Sequence, residues 1–335
     1  MRVLCLTALL HMFWEASSTE CPGSIFEQQY PQFQIISAAK TGSTSLYSYL
    51  CQHSSIECLA RNKETNLLRN AQARPKNEQV ITYFWRRRTT HFFLWNFAQE
   101  RTRYLNAYLK KGFFPRGNSE IPTITFEASI HYYHHKLARD NLRELLPCSK
   151  LICVLRNPLP RAVSEYLHQA VKKDAYPSFQ SLVSAEIAAI QTCRRQLDIQ
   201  MNRGFENNFF RCLQKFKLTK FMLSTGFYGY FINAWLEKFP RKQHYFIDYE
   251  VFRRDPQQTI EGISAFLGLD PPPQLNYTWK YNKANTRNSL AMRKRSKIKL
   301  SSSLERKIFR EVTPFIKKMY EIIEQEYNWV VTSLV

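Results

Sequence analysis

The stretch IISAAKTGSTSLYSYL, residues 35 to 50, constrains the fold of this chain more than any other. Phe33 to Ser37 is a short apolar run that reads as a buried strand, and Leu46, Tyr49 and Leu50 then recur at helical spacing. Between strand and helix stand Lys40, Thr41, Gly42, Ser43, Thr44 and Ser45. A turn in that position gathers backbone N–H groups where the helix dipole favours negative charge. Lys40 supplies a cation, Gly42 lets the backbone approach closely, and the hydroxyls supply donors. On its own the run equally suits a helix cap. A nucleoside-triphosphate loop would read GxxxxGK[ST], whereas here the lysine precedes the only glycine of the turn.

The run KLICVLRNPLPRAVSEYLHQ, residues 150 to 169, repeats the plan. A strand from Leu151 to Leu155 ends at Arg156, a turn follows at Asn157 to Pro160, and the next helix carries Ser164. Arginine and serine so spaced can grip a phosphate from two sides. A surface ion pair and a solvated serine are the plainer alternative. Ile124 to Phe126 and His244 to Ile247 read as further buried strands. Helical faces run from Phe231 to Phe239, stopped by Pro240, from Thr259 to Leu267, closed by Gly268, and from Ser302 to Trp329. The alternation predicts an α/β fold, a parallel sheet with helices on both faces. Residues 71 to 120, with TYFWRRRTTHFFLWNF, lack a clean period and suit either a core helix with exposed arginines or the wall of a polyanion cleft.

Lysine and arginine outnumber acidic residues 48 to 27, for a net charge of +21, so the chain should meet polyanions. Its amino terminus argues against nucleic acid. Met1-Arg2 is followed by an apolar run from Val3 to Trp14 and then by Ala16, Ser17 and Ser18, the layout of a secretory signal. We expect residues 1–20 to be a signal peptide or signal-anchor, residues 21–32 a short linker, and residues 33–335 a single domain. Membrane attachment would run only through residues 3–14. In a secretory lumen the abundant polyanions are glycosaminoglycans. The triplet Asn276-Tyr277-Thr278 fits a glycosylation acceptor.

Cys5 lies in the apolar start, leaving seven cysteines for an oxidising compartment. Cys193 and Cys212 flank a polar stretch, and closing that loop would stabilise the fold by roughly 3 kcal/mol. Cys153, inside LICVLR, is expected to be a reduced core residue. No CxxC or HxxxH spacing points to a metal.

Together the lysine loop and the arginine-serine corner resemble the donor-binding halves of the Golgi carbohydrate sulfotransferases that use 3′-phosphoadenosine 5′-phosphosulfate (PAPS). The resemblance implies a P-loop-like central parallel sheet flanked by helices. It implies that Lys40, Thr41, Gly42, Ser43, Thr44 and Ser45 hold the 5′-phosphosulfate, that Arg156 and Ser164 hold the 3′-phosphate, and that no metal is needed. NKETNLL, residues 62 to 68, lies where the family carries a Lys-Glu pair, which makes Glu64 the implied catalytic base beside Lys40. TFEAS, residues 125 to 129, looks like the family's second acidic strand end, with Glu127 and then His131 as alternative bases. NKANTRN, residues 282 to 288, resembles the loop that closes over the nucleotide, through Asn285, Thr286 and Arg287. Residues 224 to 269 are similar to the carboxyl-terminal block of the heparan and chondroitin branches. The Cys193 and Cys212 pair and the TFEAS and NTR elements look most like the branch that adds 6-O-sulfate to 4-sulfated N-acetylgalactosamine. Where heparan 3-O-sulfotransferases carry lysine after the second glutamate, this chain has Ala128.

The expected activity is therefore sulfuryl transfer in the Golgi lumen to a hydroxyl of a sulfated or carboxylated polysaccharide, with chondroitin or dermatan favoured over heparan. Arg86 to Arg88 and Arg293 to Lys299 are candidate polysaccharide tracks. An inactive glycosaminoglycan-binding relative and a P-loop kinase are the competing readings.

Overall fold

A computed structural model describes residues 21–25, 31–58, 123–171, 176–196, 205–216, 218, 220–276, 298, 300–327 and 329. Strands β1 (Phe33–Ile35), β2 (Ile56–Glu57), β3 (Ile124–Glu127), β4 (Lys150–Leu155) and β5 (His244–Asp248) form one sheet in the order β2-β3-β1-β4-β5. All its pairings are parallel, with Phe33 opposite Phe126 on one side and Lys150 on the other. The expected α/β architecture is the one observed. β2 escaped the sequence reading because two residues carry no periodicity, and β1 stops at Ile35 rather than Ser37.

Alternation along the strands sends side chains to two separate cores. Leu151, Cys153 and Leu155 face one, and Ile152 and Val154 face the other. The first core is covered by α2 (Lys136–Leu145), α3 (Pro158–Ala170), α4 (Phe179–Gln196), α5 (Phe205–Gln214), α6 (Tyr228–Leu236) and α9 (Ser302–Ile323). The second is covered by α1 (Ser43–Leu50), α7 (Tyr249–Arg254) and α8 (Pro256–Leu267). Gly268 closes α8 in the left-handed conformation expected of a C-terminal glycine, at φ 74°.

Two helix boundaries depart from the sequence expectation. The segment expected from Phe231 to Phe239 is helical over Tyr228–Leu236, and Phe239 belongs to the turn beyond it. The carboxyl-terminal helix ends at Ile323 rather than Trp329, because Glu324 turns left-handed at φ 54°. The Tyr320 hydroxyl donates to the Tyr327 carbonyl at 2.6 Å, and the chain folds back so that the Trp329 indole N–H donates to Asp248 Oδ1 at 3.1 Å. Burying that indole, 6% exposed, outweighs the last helical turn.

Cys193 and Cys212 are bonded and tie α4 to α5. Cys21 is bonded to Cys148 and Cys51 to Cys58, while Cys153 is reduced and buried, with burial pushing its thiol pKa well up. Among the described residues no helix is long and apolar enough to cross a membrane. The apolar start at residues 1–20 lies outside the described residues, as do Arg86 to Arg88 and most of the basic run from Arg293 to Lys299.

Candidate active site

The connection leaving β1 runs to β2 on one side of the sheet, and the connection leaving β4 runs to β5 on the other. Neighbouring parallel strands whose connections diverge leave a crevice at their carboxyl ends, the usual ligand site of such sheets. Both sequence elements singled out above, the lysine loop and the arginine corner, emerge there.

After β1, the Ile36 N–H donates to the Ile152 carbonyl at 3.0 Å, and Ser37 Oγ accepts from the Val154 N–H at 2.8 Å. The loop thus leaves locked to β4. Thr41 is fully buried and its hydroxyl donates to the Ala38 carbonyl at 2.8 Å, so that hydroxyl braces the loop and the residue offers a ligand its backbone. Lys40 sits at φ 70°, a conformation that costs a lysine about 1–2 kcal/mol. Gly42 follows at φ 93°, as the N-cap of α1, with no side-chain cap. A β-carbon at Gly42 would come within 2.9 Å of the Tyr249 ring. Ser43 is buried, Ser45 half-buried and Thr44 exposed on the first turn of α1.

Arg156 leaves β4 and reaches the same loop: its Nη1 donates to the Lys40 carbonyl at 3.0 Å. Its backbone is held by the Tyr228 hydroxyl, which donates to the Arg156 carbonyl at 2.8 Å. Its guanidinium lies 4.2 Å from the centre of the Tyr249 ring. Burial lowers the Arg156 pKa from its ordinary value, and Tyr249, Glu250 and Tyr228 partly offset that. The buried Nε has no hydrogen-bond partner among the described residues. Arg161 Nε is in the same state, so what ties Arg156 to the crevice is its bond to the Lys40 carbonyl. Asn157 caps α3 by accepting from the Leu159 N–H at 3.1 Å, and Ser164 stands half-buried on the second turn.

Sequence reasoning missed three participants. Tyr249 packs on both Gly42 and Arg156, and nothing in IDYEVF signals that. Arg161, within the quoted RNPLPRAVS, is fully buried; its Nη1 donates to the Ala39 carbonyl at 3.1 Å and its Nη2 to the Met222 carbonyl. Glu186 on α4 is also fully buried and accepts from the N–H groups of Met222, Leu223 and Ser224 at 2.7, 2.8 and 2.9 Å and from Ser224 Oγ at 2.6 Å. A charged residue at a helical core position was the available signal for both.

Of the candidate bases, Glu127 is the last residue of β3 and wholly buried, and its Oε1 accepts from Ser129 Oγ at 2.5 Å and Tyr132 Oη at 2.7 Å. His131 falls in the short 3₁₀ turn Ile130–Tyr132 just beyond. Glu64 and the loop residues Asn285, Thr286 and Arg287 lie outside the described residues. Asn276 is described and exposed.

A parallel sheet with a glycine-bearing loop after its central strand, and an arginine from the neighbouring strand bonded to that loop, defines a P-loop-like α/β fold. The family pattern described as Sulfotransferase domain matches residues 30–320, and the chain belongs to that family. It is 29% identical over 251 residues to the human "Bifunctional heparan sulfate N-deacetylase/N-sulfotransferase 3", an alignment covering 74% of this chain and 23% of that protein. It is 25% identical over 247 residues to the Drosophila melanogaster "Bifunctional heparan sulfate N-deacetylase/N-sulfotransferase", covering 72% of this chain and 20% of that one. The chain thus spans under a quarter of the length of these curated relatives. Among solved structures, a sulfotransferase from Alicyclobacillus acidocaldarius superposes with a TM-score of 0.56 at 19% identity, over 89% of this chain and 98% of that one, a likeness of fold.

Proposed function

We propose that the protein transfers a sulfuryl group from PAPS to a glycosaminoglycan of the heparan type. The observation that carries the reading is the junction of Arg156 with the Lys40 carbonyl, 3.0 Å across the β1–β4 crevice, in a chain of the sulfotransferase domain family. The names of the curated relatives support heparan as the acceptor class, and this displaces the chondroitin or dermatan preference expected from the sequence.

PAPS supplies an activated sulfuryl group, and its transfer is an in-line displacement that depends on positioning and charge stabilisation. In this reading the loop amides, Ser43 and Thr44 hold the phosphosulfate. Lys40 meets the charge that builds on the oxygen left with the nucleotide. Arg156 and Ser164 hold the 3′-phosphate, Arg156 through the Nε that has no protein partner among the described residues. Asn285, Thr286 and Arg287 close over the nucleotide. Glu64 takes the proton from the attacking sugar hydroxyl, with Glu127 and His131 in reserve. The surplus of 21 positive charges draws in the polysaccharide. In this reading residues 1–20 carry the chain into the secretory pathway as a signal peptide or signal-anchor, and residues 33–335 form a catalytic domain in the Golgi lumen.

A second reading has its own support. The relatives' names specify N-sulfation, which puts a sugar amine beside the hydroxyl as acceptor atom. Incubation with labelled PAPS and a panel of heparan, chondroitin and dermatan chains, followed by disaccharide analysis, separates the two. Label in O-sulfated heparan disaccharides is the expected result; label on glucosamine nitrogen supports the second reading. Incorporation confined to chondroitin, or nucleotide binding with no incorporation, overturns the proposal, the latter in favour of an inactive glycosaminoglycan-binding protein.

A further inference from the structure

Arg161 is a buried cation whose described partners are carbonyls: its guanidinium spans the Ala39 carbonyl on the β1–α1 loop and the Met222 carbonyl on the turn before α6. Among the described residues no carboxylate lies within ion-pair distance of it, and Glu165, one turn along α3, feels its charge less than that of Lys220. Two carbonyls and that more distant carboxylate are thin compensation for a fully buried charge, and its hold on the β1–α1 loop offers a reason for keeping it there.

The Met222 end of this span is itself anchored. Glu186 accepts four hydrogen bonds from residues 222 to 224, more than enough to fix that turn against α4. Gly226 lets the turn press on α3, since a β-carbon there would lie 2.9 Å from Pro158 Cβ and 3.4 Å from Arg161 Nε. The Ala39 end is continuous with the next peptide group, whose carbonyl accepts from Arg156. Two arginines therefore hold two consecutive carbonyls, Ala39 and Lys40. In a trans peptide the N–H points opposite to the C=O of the same unit. Drawing both carbonyls toward the β4–α3 corner turns the N–H groups of Lys40 and Thr41 away from it.

We propose that Arg161 is a positioning residue of the nucleotide-donor loop: braced by Glu186 through the Met222–Ser224 turn, it holds the Ala39 carbonyl and thereby aims the loop amides at the phosphosulfate. This rests on the PAPS reading above. Arg161 touches no substrate, and acts through the loop alone.

The test uses the full chain with Arg161→Lys and Arg161→Gln. Calorimetry with 3′-phosphoadenosine 5′-phosphate reads affinity, steady-state kinetics read KM for PAPS and for the polysaccharide, and a thermal melt reports folding. Losing one charge-assisted hydrogen bond to the loop should weaken nucleotide binding by about tenfold to a hundredfold in Arg161→Gln. Lysine keeps the charge but lacks the planar fork, so Arg161→Lys should fall between that variant and wild type. KM for PAPS should rise in parallel while KM for the polysaccharide holds, a split that general loosening of the core would not produce. Unchanged nucleotide affinity in a folded Arg161→Gln overturns the proposal. So does failure of both variants to fold, which assigns Arg161 to the core. A wild-type chain that takes up no nucleotide refutes the PAPS reading, and this role with it; uptake by wild type with unaltered variants refutes only the role.

Discussion

Replacing Gly42 by alanine tests the proposed geometry of the loop most directly. At φ 93° an L-residue is strained, by about 1–2 kcal/mol on the left-handed scale. The new methyl would also lie 2.9 Å from Tyr249 Cε2, 3.0 Å from Cδ2 and 3.4 Å from Phe252 Cε1, so the tyrosine ring must move. That ring stacks on Arg156 at 4.2 Å, and a displaced ring gives up a cation–π contact of about 1 kcal/mol. The total is roughly 2–3 kcal/mol, divided between global stability and the shape of the anion site. Gly42→Ala should therefore melt a few degrees lower, at about 1–2 °C per kcal/mol for a chain of 335 residues. By calorimetry it should bind 3′-phosphoadenosine 5′-phosphate about tenfold or more weakly. Adding Tyr249→Leu removes the obstructing ring, and the double-mutant cycle should show coupling of about 1 kcal/mol. Wild-type stability and affinity in Gly42→Ala, or strict additivity with Tyr249→Leu, would refute the reasoning.

Arg156→Ala should weaken nucleotide binding by about tenfold to a hundredfold, the worth of one charged hydrogen-bonded contact, and titration calorimetry checks it. Glu64→Gln should keep nucleotide affinity and lose turnover by about 10² to 10⁴, read in the labelled-PAPS assay; near-normal turnover moves the base to Glu127 or His131. His244, whose Nδ1 faces the Pro240 carbonyl at 3.1 Å and whose ring stacks on Phe246, has its pKa lowered to about 4, by burial above all. The unfolded chain then binds the extra proton first, so stability is full above the ordinary histidine range and falls as pH drops from about 6.5 to 4, by at most about 3 kcal/mol. Denaturant melts across that range should show the loss, and His244→Phe should flatten it.

The parts of the fold that were legible in the sequence are those in which a local pattern carries the structure. β4 announces itself through five consecutive apolar residues, and α8 through its apolar face and Gly268. β2 is made by pairing with β3 rather than by its own two residues, and α9 stops where Trp329 finds a better burial than another helical turn. Lys40, Gly42 and Arg156 could be read as anion-directed because strand ends, glycine and cations are local signals. Their meeting at one crevice depends on strand order, and the contributions of Tyr249, Arg161 and Glu186 depend on packing between distant segments. No spacing rule encodes either.

The central position of β1 has a consequence for biosynthesis. Its partners on β3 and β4 arrive 93 and 117 residues later in the chain, Phe126 and Lys150 being the residues opposite Phe33. At about 5–20 residues per second, a ribosome needs several seconds to upwards of twenty to deliver them. Throughout that interval Phe33–Ile35 has both edges open to pairing with any passing chain. The nascent protein is therefore most exposed to misassembly in the very segment that leads into the Lys40 loop, and chaperone attendance during that window should govern its yield.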